Sequence, residues 1–119
     1  MLFNFLGKGS NVDRLQTIFI LPKIFGNSRR IMILEILLKN YKYNENAWIN
    51  FSEIARQGKI SISTVKRIIE SLIQNDLAKM RENTYQTPVK NPERQVKLNY
   101  SSKISRELIF FYQKLLGII

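Results

Sequence analysis

Ile60-Ser61-Ile62-Ser63-Thr64-Val65-Lys66-Arg67-Ile68-Ile69-Glu70-Ser71-Leu72 is the stretch whose reading decides the fold. Ser61 stands as a helix cap. Val65, Ile68, Ile69, Leu72 and Ile73 then follow the i, i+3, i+4, i+7, i+8 rule of a helix that buries one face. The opposite face carries Ser63, Lys66, Arg67, Glu70 and Gln74. The spacing predicts the clearest amphipathic helix of the chain, over residues 61–75.

Upstream, Asn50-Phe51-Ser52-Glu53 has the form of a capping box, a polar cap answered by Glu at the third helical position. That helix is brief, with Ile54 and Ala55 inward and Gly58 as its stop. Trp48-Ile49 reads as a very short strand, and Tyr41 to Ala47 as a polar, aromatic loop. Before it, a helix is expected from Asn27 or Ser28 to about Lys39. Ile31, Leu34 and Leu38 make one stripe on it, and Ile33, Ile36 and Leu37 another. Only Arg29, Arg30 and Glu35 want water there, so this helix needs cover on two sides, for which a second subunit is a natural source. Further upstream, Ser10 and Asp13 suit a helix start. Val12, Leu15 and Phe19 share a stripe, Pro22 breaks it, and Gly26-Asn27 ends it.

Downstream the period changes to two. Ala78 and Met80 alternate with Lys79 and Arg81; Val96, Leu98 and Tyr100 alternate with Gln95, Lys97 and Asn99. Asn83 to Arg94, with Pro88, Asn91 and Pro92, is the hairpin loop between them. Ser101-Ser102 opens a last helix whose stripe is Ile104, Leu108, Phe111, Tyr112 and Leu115, widened by Ile109, Phe110 and Leu116.

Two short helices joined by a tight turn and followed by a basic hairpin are the order of a winged helix-turn-helix. Phe25 to Leu37, with its Gly26-containing turn before Arg29, Arg30 and an Ile/Leu-rich helix, resembles the first helix of the arsenic-repressor-like (ArsR) transcription regulators. Asn50-Phe51-Ser52-Glu53-Ile54-Ala55 is similar to that family's second-helix opening. The segment from Ile60 to Leu72 is similar to its recognition helix, and the same order resembles MarR-like regulators. Asp76-Leu77 departs from the usual Gly-Leu at the helix end; Asn75 is able to take the left-handed conformation there. The resemblance spans roughly residues 25–100. It implies a DNA-binding regulator and suggests repression, without fixing the sign.

The expected fold is mainly α with a small β-hairpin, a winged helix-turn-helix with added N- and C-terminal dimerisation helices. Residues 1–26 form the first of these, 27–100 the DNA-binding domain and 101–119 the last helix. Ser61, Ser63, Thr64, Lys66, Arg67 and Glu70 are the candidate contacts of the recognition helix. Arg67 suits guanine O6/N7, Lys66 guanine or phosphate, and the hydroxyls the anion-favouring helix start. Lys79, Arg81, Lys90, Arg94 and Lys97 make the wing (residues 78–99) a cationic ribbon for phosphates or a minor groove. Tyr85 at its tip reads equally as a sugar-phosphate contact or an ordinary exposed aromatic. A charged helix face is also what solvation alone produces; the adjoining turn and basic hairpin favour DNA.

Composition agrees. The chain has 119 residues, 19 Lys+Arg against 9 Asp+Glu, and a net charge of +10. From Arg56 to Arg106 there are eleven basic and four acidic residues. Such a balance calls for an acidic partner, nucleic acid first and an anionic membrane second. With 0 Cys and 0 His there is no thiol chemistry, Cys/His metal site or Ser-His-Asp triad. No Gly-rich phosphate loop or paired carboxylates emerge, so no enzyme, cofactor or metal is expected. No apolar run approaches the roughly 20 residues that cross a bilayer. A cytoplasmic, nucleoid-associated homodimer, joined through the wide apolar stripes of its terminal helices, is the expectation. The residues leave open a plasmid or virus protein marking an origin or partition site, and a protein–protein adaptor using the aromatic last helix.

Overall fold

The computed structural model describes residues 19–44, 47–83 and 93–118. Along them run α1 (Leu21–Phe25), α2 (Arg29–Tyr43), β1 (Ile49–Asn50), α3 (Phe51–Gly58) and α4 (Ile62–Gln74). β2 (Ala78–Asn83), β3 (Glu93–Leu98) and α5 (Lys103–Ile118) complete the order. The helix start expected at Ser10 and Asp13, with Val12 and Leu15, lies outside the described residues, as do Tyr85, Pro88 and Lys90.

α2 is the centre of the molecule. Ser28 caps it by accepting from the Ile31 amide at 3.1 Å. It runs past the expected end at Lys39 to Tyr43, where Asn40 Nδ2 donates to the Ala47 carbonyl at 2.6 Å and fastens the following turn. Ile33, Ile36, Leu37 and Leu38 are buried. α1, α3, α4 and β3 all pack against it, and α5 reaches it through Tyr112, so α2 finds its cover on both sides within its own chain.

Two expectations about this region are corrected. Glu35, read as water-seeking, is fully buried: its carboxylate accepts from the Ile20 and Leu21 amides and the Tyr112 hydroxyl. Pro22, read as a breaker, sits in the first turn of α1, where a missing N–H costs nothing. Gly26, at φ 102, ends that helix as expected.

Three antiparallel strands form the sheet in the order β1-β3-β2, with Ile49 opposite Val96 and Met80 opposite Val96 from the other side. Ile49, Ala78, Val96 and Leu98 close one sheet face on the helices, while Met80 remains 41% exposed. The capping box at α3 does not form. Asn50 belongs to β1 as well, so its Oδ1 faces along the sheet and accepts from Gln95 Nε2 at 2.8 Å. Glu53 instead accepts from Arg56 Nε at 3.0 Å and Gln57 Nε2 at 2.8 Å. Those bonds, the one from Arg56 first, hold its carboxyl below the usual range.

The left-handed residues are also shifted by one. Lys59 (φ 54), not Gly58, ends α3, and Asp76 (φ 61), not Asn75, follows α4. α5 is anchored near its start by Ser105, whose hydroxyl donates to the Leu77 carbonyl at 3.0 Å. It is fixed further along by buried Ile109 and Tyr112. Among the described residues no helix is long and apolar enough to cross a membrane.

Candidate nucleic-acid interface

α4 divides its two faces as its spacing requires. Val65, Ile68, Ile69 and Leu72 are at most 6% exposed, whereas Ser63, Lys66, Arg67 and Glu70 are open to solvent. Ser61 caps the helix through the Thr64 amide at 3.3 Å. Its hydroxyl also lies 2.9 Å from Thr64 Oγ1 and 3.2 Å from Ser63 Oγ. The three hydroxyls therefore form one small network at the helix start, beside backbone N–H groups that favour an anion. Ile62, outside the polar face that the spacing marks, is 49% exposed on that first turn. An exposed branched side chain there is suited to apolar contact with a thymine methyl.

The wing cations are arranged by the sheet register. Lys79 lies opposite Lys97 and Arg81 opposite Gln95, so Lys79, Arg81 and Lys97 share one face. Trp48, next to β1, is the platform of that face: Arg81 Cζ is 4.6 Å and Lys97 Nζ 4.9 Å from its ring centroid. Arg81 Nε donates to Gln95 Oε1 at 2.8 Å, and Gln95 in turn donates to Asn50. Arg94 lies on the other face, 3.9 Å from the Glu82 carboxylate. The structure thus gathers three of the five expected wing residues on one surface and places Arg94 apart; Lys90 lies outside the described residues. A tryptophan before a two-residue strand carries no sign of this role until the register is known.

Apolar surface is concentrated elsewhere. Phe25 of α1 and Phe111 of α5 are 57% and 42% exposed and lie against each other, ring centroids 6.3 Å apart. Ile104 and Phe110 are exposed as well. The stripe read on the last helix is therefore split: Tyr112 and Ile109 enter the core, while Ile104 and Phe111 face out. Among the described residues no group of three or more acidic side chains is placed to hold a metal ion.

No protein-family model matches the sequence, and no curated protein matches it. A MarR family transcriptional regulator from Silicibacter pomeroyi superposes with a TM-score of 0.52 at 14% identity, over 95% of this chain and 69% of that one. A homodimeric winged helix-turn-helix DNA-binding domain from Mycobacterium bovis, a possible ArsR-family transcriptional regulator, gives 0.50 at 15% identity, over 98% of this chain and 91% of that one. The two neighbours are described as the two kinds of protein that the sequence resembles. At such identities the likeness speaks for architecture. A central helix, a helix-turn-helix formed by α3 and α4, and the antiparallel pair β2–β3 beside them give this chain the winged helix-turn-helix fold.

Proposed function

We propose that the chain is a sequence-specific double-stranded DNA-binding protein, a homodimeric transcription regulator that places α4 in the major groove and its wing along the phosphates. One observation carries this reading. α4 commits one face to the core and leaves Ser63, Lys66, Arg67 and Glu70 on the other, the division a recognition helix needs. Arg67 is assigned to a guanine and Lys66 to guanine or phosphate, with Ser61, Ser63 and Thr64 at the helix start. Lys79, Arg81, Lys97, Arg94 and Lys90 are assigned to phosphates.

Residues 27–100 are the DNA-binding unit in this reading, and the terminal helices pair two copies. The exposed Phe25–Phe111 surface supports that pairing, as does the homodimeric state of the Mycobacterium bovis neighbour. A dimer that reads DNA without cofactor or catalysis belongs in the cytoplasm, on the nucleoid.

Sequencing duplexes selected from a random pool by the purified protein tests the reading. The expected result is an inverted repeat whose half-sites lie about one helical turn, roughly 10 base pairs, apart. A pool without enrichment, from a protein whose associations are insensitive to salt, would instead favour a protein–protein adaptor.

A further inference from the structure

Between the N-terminus of α2 and the α3–α4 turn opens a cleft of about 610 Å³. Arg29 and Arg30 stand on its α2 side, Lys59 at the turn and Arg67 on its α4 side. Among the described residues, no Asp or Glu lines it. Like charges gathered around one opening repel one another, so folding alone does not favour the arrangement. One of these cations is tethered: Arg30 Nη2 donates to Ser71 Oγ at 2.8 Å, which leaves its guanidinium further donors to spare. The positive end of the 15-residue α2 dipole adds to the same field. On sequence alone Arg29 and Arg30 read as solvated, because only the fold brings the turn beside them.

We infer that this cleft is a phosphate site. Planar guanidinium forks with an ammonium beside them match the oxygens of a phosphate mono- or diester. The volume lies within the range of small-ligand sites and accommodates a sugar–phosphate unit. The phosphate belongs either to a DNA strand or to a free phosphorylated small molecule. Position favours the strand, because the cleft opens beside Arg67, at the edge of the face that α4 presents to the groove. This step rests on the DNA-binding reading above. It adds Arg29, Arg30 and Lys59 to the contacts, apart from the wing, none of whose described residues lines the cleft.

Arg29→Ala and Lys59→Gly test it. Lys59 already holds the left-handed backbone (φ 54, ψ 49) that glycine adopts without strain, so that variant keeps its fold. Two measurements are made on the intact protein: duplex affinity against salt, and amide shifts of residues 58–60 during titration with inorganic phosphate, with chloride as control. A strand in the cleft predicts that each variant lowers the log–log salt slope by about 0.9 per subunit. Specific and random duplexes then weaken together, about fivefold per contact near physiological salt, with sequence preference kept. Unchanged slopes with saturable phosphate binding that both variants lose assign the cleft to a free phosphorylated molecule. Unchanged slopes with amides that ignore phosphate overturn the site. In that case, loss of the selected sequence by Arg67→Ala would show that the DNA reading itself still stands.

Discussion

The phenolic hydroxyl of Tyr112 donates to the carboxylate of Glu35 at 2.6 Å, across 77 residues of sequence, with both side chains buried. The same carboxylate accepts from the Ile20 amide at 2.9 Å and the Leu21 amide at 2.8 Å. One charged group in α2 therefore fastens the start of α1 and the middle of α5, the two elements that carry the exposed phenylalanines. Tyr112→Phe keeps the ring and removes one bond to a charged acceptor, and should cost about 2 kcal/mol. Glu35→Ala strands two backbone amides and a phenol, and should cost more, about 3–5 kcal/mol. Denaturant midpoints of the two variants check this; a neutral Tyr112→Phe would break the proposed tie.

The pair also predicts alkaline behaviour. Burial first, then the Glu35 carboxylate, pushes Tyr112 ionisation well above 10.0. A folded pKa above the unfolded one gives stability that is fully present below about pH 10 and fades as pH rises through the folded value. Lys39 acts in the opposite sense: burial lowers its pKa below 10.5, with Glu35 pulling part of the way back, so its effect improves as pH rises toward that value. Lys39 is common to the parent and Tyr112→Phe, so their difference isolates the tyrosine. Between about pH 9 and 11 the parent should lose stability relative to the variant. Parallel curves would contradict the assignment.

On the wing, Arg81 and Lys79 should behave differently although both are exposed cations. Arg81 is held by Trp48 and Gln95, so Arg81→Ala should cost about 1 kcal/mol of stability as well as a phosphate contact. Lys79→Ala should leave stability within about 0.5 kcal/mol while lowering the salt slope by roughly 0.9 per subunit. Trp48→Ala should loosen both Arg81 and Lys97 and cost about 1–2 kcal/mol. Equal melting temperatures for the Lys79 and Arg81 variants would show that the Trp48 platform is unimportant.

The terminal surface makes an oligomeric prediction. Phe111→Glu places a charge on the patch that Phe25 and Phe111 share, without touching the inward Ile109 and Tyr112. The parent should sediment as a dimer at about ten micromolar, above a nanomolar-to-micromolar dimer constant, and the variant as a folded monomer. A monomeric parent would remove the dimer from the account.

What could be read in advance divides along physical lines. The spacing of Val65, Ile68, Ile69 and Leu72 exposed α4 because a single helix face decides their burial. The inward placing of Ala78, Val96 and Leu98 followed from period-two alternation. Glu35 could not be read this way, since a lone carboxylate on a helix looks solvated until Ile20, Leu21 and Tyr112 are brought to it from distant elements. Asn50 and Glu53 have the spacing of a capping box, yet strand register gives Asn50 another partner, Gln95. Trp48 and the cleft cations Arg29, Arg30 and Lys59 gain meaning only through neighbours supplied by tertiary packing.

The central claim, that the outward face of α4 reads DNA, is tested most directly by Arg67→Ala in a competition shift assay on the selected duplex, beside a melting curve. Arg67 is exposed and Val65 fully buried on the adjoining face. Arg67→Ala should melt within about 0.5 kcal/mol of the parent and lose roughly 1–3 kcal/mol of specific binding per half-site, with random duplex much less affected. Val65→Asp should unfold the domain by burying an unpaired charge, which confirms that the two faces differ. An Arg67→Ala protein that melts like the parent and holds its selected duplex as tightly would contradict the recognition-helix assignment.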